Sequence, residues 1–130
     1  MTLRWLRSSA QQHPGGLSKK EKQEPTNNDA SHAVYFSLKD KSPAAVATLI
    51  EGCQTLLTNH PGAVSFAVGT CSPYDRQVND RDFEVALEIV FDSHAAHDAY
   101  QTADRHNTFL AMHATNWSHV RVFDVDLASA

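Results

Sequence analysis

Four segments of the chain have the pattern of β-strands, and in the first and third of them apolar and polar residues alternate, as in half-buried strands. The first segment runs from His32 to Lys39, and the second, rich in valine and phenylalanine, runs from Ala63 to Cys71. The third spans Phe83 to Asp92 and the fourth spans Val120 to Leu127. The pattern therefore predicts four strands.

A helix is predicted between the first two strands, because apolar residues recur there every three or four positions. Ser42 is a suitable N-cap and Pro43 suits the first helical position. The run His60-Pro61-Gly62 is expected to end this helix, since proline cannot continue it and glycine supplies backbone freedom.

A second helical region lies between the third and fourth strands. Ser93 is suited to cap its first part, the pattern breaks near Asp104, and a second part extends from Arg105 to Asn116. The resulting order is βαββαβ. This order predicts an α+β fold of ferredoxin-like type, in which an antiparallel four-stranded sheet is covered by helices on one face.

The other face of this sheet is too apolar to be left open to water. Its predicted apolar members are Ala33, Tyr35, Ala86 and Val90. We therefore expect a homodimer in which two sheets pack face to face. Lys39, Glu84 and Glu88 belong to the same face, and we expect them near the rims of the sheet.

Charge divides the chain into two regions. Residues 1–30 hold five basic and three acidic residues without an apolar period, so we interpret them as a flexible leader. Residues 31–127 are interpreted as one domain and 128–130 as a tail. The formal net charge of −4 argues against nucleic acid as a partner, and no apolar run is long enough for a membrane span. The expected location is cytoplasmic.

The pairs of histidine residues and of acidic residues in the sequence give no clear metal site. His94 and His97 are three residues apart on a predicted helix, but no third ligand is evident by spacing. Asp124 and Asp126 are two apart on a predicted strand and are interpreted as solvated charges. We therefore expect neither a metal nor another cofactor.

Several motifs together resemble one known family. They are HAVYFSLK at 32–39, GAVSFAVG at 62–69, FEVALEIVFDS at 83–93, AYQTADRH at 99–106, and Trp117 followed by Phe123-Asp124. In this order and spacing they are similar to the stress-responsive A/B barrel (Dabb) domains. The resemblance covers about residues 31–127, and it implies a dimeric α+β barrel built from two ferredoxin-like subunits.

The family resemblance also implies a candidate site. Members range from stress-induced proteins without known chemistry to plant polyketide cyclases. The cyclases use a tyrosine and a histidine six residues later, here Tyr100 and His106, with a pocket histidine on the first strand, here His32. Cyclases often read HPxH before the catalytic histidine. This chain reads ADRH, without the proline and the first histidine.

The chemistry of these residues fits a cofactor-independent cyclase or lyase. Histidine is a ready base at neutral pH, and a tyrosine hydroxyl can donate to a developing oxyanion. His106 would be the general base and Tyr100 its partner on a polyketide-like or aromatic carbonyl substrate. By resemblance, the pocket lies against the inner face of the first strand. Its expected substrate-binding residues are Val34, Phe36 and Phe109.

Two alternatives stay open beside the enzyme. In the first, the chain is a stress-responsive homodimer that binds a small hydrophobic ligand without chemistry, with Tyr100 packed under the sheet and His106 capping a helix. A core filled by Phe36 and Phe109 would favour that interpretation. The second is a cofactor-free monooxygenase, which rests on likeness of fold alone.

Overall fold

Four antiparallel strands form a single sheet in the computed structural model, which describes residues 29–128. The strands are β1 (Ala30–Leu38), β2 (Ala63–Thr70), β3 (Val85–Phe91) and β4 (Trp117–Asp126), and the sheet order is β2-β3-β1-β4. The helices are α1 (Pro43–Leu56), α2 (His94–Gln101) and α3 (Asp104–His113), followed by a 3₁₀ turn at Ala114–Asn116. The predicted α+β architecture is confirmed. None of these helices is long and apolar enough to span a bilayer.

The chain ends set the limits of this description. Residues 1–28, interpreted as part of a leader, and residues 129–130 of the tail lie outside the described residues. Ala30, assigned to the leader, already belongs to β1. The backbone carbonyl of Asp29 accepts a hydrogen bond of 2.9 Å from the Leu127 N–H, so pairing along β4 extends to this point.

The helix starts follow the sequence signals. The Ser42 hydroxyl accepts from the Ala45 N–H at 3.2 Å, and Ser93 caps α2 in the same way. The predicted end of α1 is wrong, because the helix stops at Leu56. Asn59 supplies the first left-handed residue (φ 58°), and Gly62 (φ 83°) makes the turn into β2.

The inner face of the sheet forms the core against the helices. In β1 this face carries His32, Val34, Phe36 and Leu38, all buried as the alternation predicts. The buried cluster also includes Leu49, Cys53, Leu57, Val68, Val85, Leu87, Ile89, Phe91, Tyr100 and Phe109. α1 and α3 contact each other over this core, and α2 contacts both β3 and α3. The helices thus cover one face only.

The outer face differs from prediction at two residues. Phe83 was expected in β3, but the strand begins at Val85, and the Phe83 ring packs edge-on against Tyr35 at 5.0 Å. The chain bends at Glu84, just before the strand, and the Glu84 carboxylate accepts from the Leu38 N–H at 2.7 Å. Glu88 was expected at a rim. It instead faces the centre of the outer surface, opposite Ala33 and Ala67 in register, and burial raises its pKa.

Candidate functional site

A buried tyrosine at the end of α2 lies at the centre of several histidines. The Tyr100 ring lies edge-on to His60 at 4.9 Å and to His106 at 4.8 Å between centroids. His32 lies 5.8 Å away and His97 lies 6.4 Å away. We call these five residues the Tyr100 cluster. The structure thus brings together His32, Tyr100 and His106, the three predicted catalytic residues.

The cluster is assembled from β1, the turn before β2, α2 and α3, and Arg105 links two of these segments. His106 is the third residue of α3, and Arg105 precedes it. The Arg105 guanidinium donates to the carbonyl oxygens of Thr55 at 3.1 Å and Thr58 at 2.8 Å, at the end of α1. A cation suits the free carbonyls of a helix C-terminus. These two hydrogen bonds bring the start of α3 to the segment that carries His60.

His106 has an unsatisfied ring nitrogen inside the protein. Its Nδ1 is buried and has no hydrogen-bond partner among the described residues. Burial, with smaller contributions from His32 and His60, lowers its pKa, so the imidazole is neutral at pH 7. The alternative in which His106 caps a helix is wrong, because the N-cap of α3 is Ala103. His106 thus makes no capping hydrogen bond, and its Nδ1 stays unpaired within the described residues.

The positions of the hydrogens on Tyr100 and His60 also follow from the surroundings of these two side chains. Burial, and secondarily Cys53, raises the pKa of Tyr100, so its hydroxyl keeps its proton at neutral pH. His60 Nε2 lies 2.9 Å from the Leu56 carbonyl oxygen. Since a carbonyl only accepts, Nε2 carries the hydrogen and neutral His60 has its lone pair on Nδ1.

His32 is held by a carboxylate from the edge strand. The β1–β4 register places His32 opposite Asp124, and His32 Nδ1 donates to the Asp124 carboxylate at 2.6 Å. Two residues along β4, Asp126 accepts from His94 Nε2 at 2.7 Å. The interpretation of Asp124 as merely a solvated charge is therefore wrong, since it binds a buried histidine, whereas Asp126 is exposed and pairs with an exposed one.

His97 completes a group of three possible metal ligands. Its Nε2 lies 3.1 Å from His32 Nδ1, and its ring stacks on Phe91 at 5.1 Å with an interplanar angle of 15°. One donor atom each from His32, His97 and Asp124 lie within 4.8 Å of one another. The sequence paired His97 with His94, but His94 is not in this group.

The predicted substrate-binding residues lie in the neighbouring core. Phe36 and Phe109 are buried, with ring centroids 6.2 Å apart, and both also contact Trp117, at 4.9 Å and 5.7 Å respectively. Val34 lies between His32 and Phe36 on the same face of β1. The aromatic rings of Phe36, Phe109 and Trp117 thus lie further along β1 than the Tyr100 cluster.

Three residues of the site were missed from the sequence. His60 was assigned only to a helix stop, His97 was paired with the wrong histidine, and Asp124 was treated as solvated charge. Asp124 did belong to a recognised motif with Trp117 and Phe123. Its pairing with His32 depends on the β1–β4 register, which the strand patterns alone do not specify.

The fold and its site place the chain in a class of ferredoxin-like α+β proteins. The family model described as the stress-responsive A/B barrel domain matches residues 30–127. The chain belongs to this family, as the sequence motifs predicted. A comparison of the sequence with curated proteins found no match.

Solved structures of similar fold come from plants and bacteria. A protein of Arabidopsis thaliana is 22% identical, with a TM-score of 0.65 over 78% of this chain and 97% of that one. A hydroxynitrile lyase from Passiflora edulis is 19% identical, with a TM-score of 0.65 over 80% and 97%. A dimeric ferredoxin-like protein of unknown function from Thermobifida fusca is 21% identical, with a TM-score of 0.64 over 77% and 92%.

Proposed function

We propose that this protein binds a small apolar or aromatic carbonyl compound at the Tyr100 cluster and acts on it by general acid–base catalysis. The observation that carries the proposal is the buried, unpartnered Nδ1 of His106 beside a buried tyrosine. A buried polar atom without a partner costs free energy unless a ligand satisfies it. Neutral His106 is a base, and protonated Tyr100 is a donor, so the pair has complementary roles.

The proposed reaction begins with proton abstraction. His106 takes a proton from the carbon next to the carbonyl group, and the electron pair of that C–H bond moves into an enolate. The Tyr100 hydroxyl donates a hydrogen bond to the enolate oxygen. The imidazolium of His106 then returns its proton to carbon, or to a leaving or attacked oxygen. His32, oriented by Asp124, holds the other side of the ligand.

Apolar residues beside the Tyr100 cluster would contribute to binding of the ligand. Val34, Phe36 and Phe109 would pack against the ligand where the core meets the Tyr100 cluster. A hydroxynitrile lyase of the same fold supports an enzymatic use of this architecture.

The activity can be tested without knowing the product, because enolate formation exchanges the α-hydrogens of a ketone with solvent. The full chain, treated with a chelator, is incubated in D₂O with aryl methyl ketones and 1,3-diketones, and deuterium incorporation is followed by NMR. We expect saturable exchange above the rate of buffer and of heat-unfolded protein. Rates equal to those controls for the whole panel would contradict the proposed activity.

A second candidate function is a ligand-binding or structural dimer without catalysis. The contact of Phe36 with Phe109 and Trp117 favours it, because these rings occupy interior space that a large substrate would need. Under this alternative, ketones shift the NMR signals of the protein but show no exchange. The exchange assay therefore separates the two candidates.

We further propose that the outer face of the sheet binds a second copy of this chain. Phe123 and Val125 are 52% and 50% exposed there, and the Phe123 ring contacts Tyr35 at 5.8 Å. They line a groove of about 440 Å³ together with Arg121 and Glu88. A solved protein of similar fold is described as dimeric, which supports the pairing of two copies. Face-to-face packing would remove the exposed aromatic surface from water.

Replacing Phe123 with glutamate is expected to convert the protein from a dimer to a monomer, because the interface would bury an unpaired charge. Light scattering after size exclusion should report about twice 14.4 kDa for the wild type and about 14.4 kDa for the variant. Met112→Glu is the matched control, since Met112 is 63% exposed on α3. A Phe123→Glu protein that stays dimeric would refute the assigned interface.

A further inference from the structure

We infer that His32, His97 and Asp124 form a binding site for a divalent transition-metal ion, with zinc as the test ion. The ligand atoms are Nδ1 of His32, Nε2 of His97 and a carboxylate oxygen of Asp124, all within 4.8 Å of one another. This inference does not depend on the proposed catalytic function, although the two sites share His32.

The donor set selects the class of metal. Two imidazole nitrogens and one carboxylate oxygen suit zinc and its first-row neighbours, whereas magnesium and calcium prefer oxygen ligands throughout. Three protein ligands leave at least one coordination position for water or another small molecule. With two neutral imidazoles and one carboxylate, the occupied site carries a net charge of about +1.

The spacing of the donors is close to that of a coordinated set. Zinc lies about 2.0–2.2 Å from nitrogen and oxygen ligands, so tetrahedral donors stand roughly 3.3 Å apart. His32 Nδ1 is 3.1 Å from His97 Nε2 and 2.6 Å from the Asp124 oxygen. Both separations are slightly shorter than this, and all three donor atoms lie within 4.8 Å of one another. Coordination therefore requires these donors to separate slightly, and the Asp124 side chain is 54% exposed on edge strand β4.

Neighbouring side chains hold the two imidazoles in place. The His97 ring stacks on Phe91, and the His32 ring is buried and lies edge-on to Tyr100. The Gln101 amide, one helical turn further along α2, donates to His97 Nε2 at 2.9 Å, and a metal at this nitrogen would replace that hydrogen bond. In the metal-free protein, the His32 Nδ1 proton binds Asp124; the metal would replace that proton between the same two groups.

His94 provides a matched negative control. It lies three residues before His97 on the same helix and also binds an aspartate of β4, but that aspartate is Asp126. Both His94 and Asp126 are exposed, and neither contributes a donor atom to the group. Any zinc binding by surface histidines in general would depend on His94 as much as on His97.

The test is calorimetric titration of zinc alone into the full chain after removal of metals with a chelator, followed by cobalt substitution and visible spectroscopy. We expect one zinc ion per chain and a cobalt spectrum with mixed nitrogen and oxygen ligation. His97→Gln and Asp124→Asn are each expected to weaken zinc binding at least about tenfold, while His94→Gln binds like the wild type. Asp124→Asn alters an exposed side chain, so its fold is expected to persist, and circular dichroism checks this.

Three results would overturn the site. They are no zinc binding by the wild type, equal losses in His94→Gln and His97→Gln, and unchanged binding in Asp124→Asn. Histidine nitrogen NMR adds a direct readout, because zinc should perturb Nδ1 of His32 and Nε2 of His97. No substrate is used in these experiments, so their outcome is separate from that of the exchange assay, which is run with chelator present.

Discussion

Replacing His106 with glutamine is expected to lower the rate of ketone α-hydrogen exchange by about 10²–10⁴-fold, the usual contribution of a positioned general base. Glutamine retains hydrogen-bonding capacity and similar bulk but cannot accept the proton. Tyr100→Phe is expected to lower the rate by about 10²–10³-fold, because it removes only the donor to the enolate oxygen.

The control for this change is His119→Gln, which makes the same substitution at an exposed histidine of β4. It is expected to leave the exchange rate unaltered. If His106→Gln and His119→Gln have equal rates while the wild type is active, another residue is the base. Chemical shifts in the core should show that His106→Gln remains folded.

The pH dependence of exchange should identify His106 independently. Burial lowers the pKa of this histidine from its usual value of 6.5, so its basic form persists into mildly acidic solution. The midpoint of the fall in the wild-type rate at low pH is therefore expected below pH 6.5. The hydrogen exchange that remains in the His106→Gln variant should not show this fall in rate at low pH.

Gly62→Ala is expected to destabilise the protein by roughly 2–5 kcal/mol, the combined cost of a left-handed backbone and an overpacked contact. Gly62 has φ 83°, and a Cβ there would overlap the Cβ of Ala96 in α2 and lie 3.0 Å from an Asp92 carboxylate oxygen. Neither neighbour has a long side chain that could move away. The substitution would therefore displace α2, which carries Tyr100.

A double-mutant cycle can measure how much of this destabilisation comes from the overlap with Ala96. Ala96→Gly removes the overlapping methyl group, so the cost of Gly62→Ala should be smaller in that background by the part that this methyl contact contributes. Urea unfolding at one fixed protein concentration gives the four free energies, since dimerisation would make stability concentration-dependent. Additive effects of the two substitutions would show that the predicted overlap does not occur.

Local sequence signals predicted the fold well. The alternation from His32 onward identified the inner face of β1, Ser42 and Ser93 cap their helices, and the interruption near Asp104 separates α2 from α3. These features depend on neighbours within one or two turns of the chain. Phe83 departed from its pattern because a bend at the start of β3 turns it to the outer face.

The site was less predictable because it depends on distant pairs. Tyr100 and His106 were found through their spacing in a family motif, and they converge across the break between two helices. His60 joins them where Arg105 of α3 binds carbonyl groups at the end of α1. Asp124 reaches His32 through strand register, 92 residues along the chain. Periodicity carries no information on such contacts.

A crystal structure of the full chain soaked with an aryl methyl ketone tests the central claim most directly, with a His106→Ala crystal treated in parallel. The account predicts ligand density with the carbonyl oxygen at the Tyr100 hydroxyl and the methyl carbon at His106 Nδ1, and weaker density in the variant. A wild-type interior filled by Phe36 and Phe109, with no ligand beside Tyr100, would contradict it.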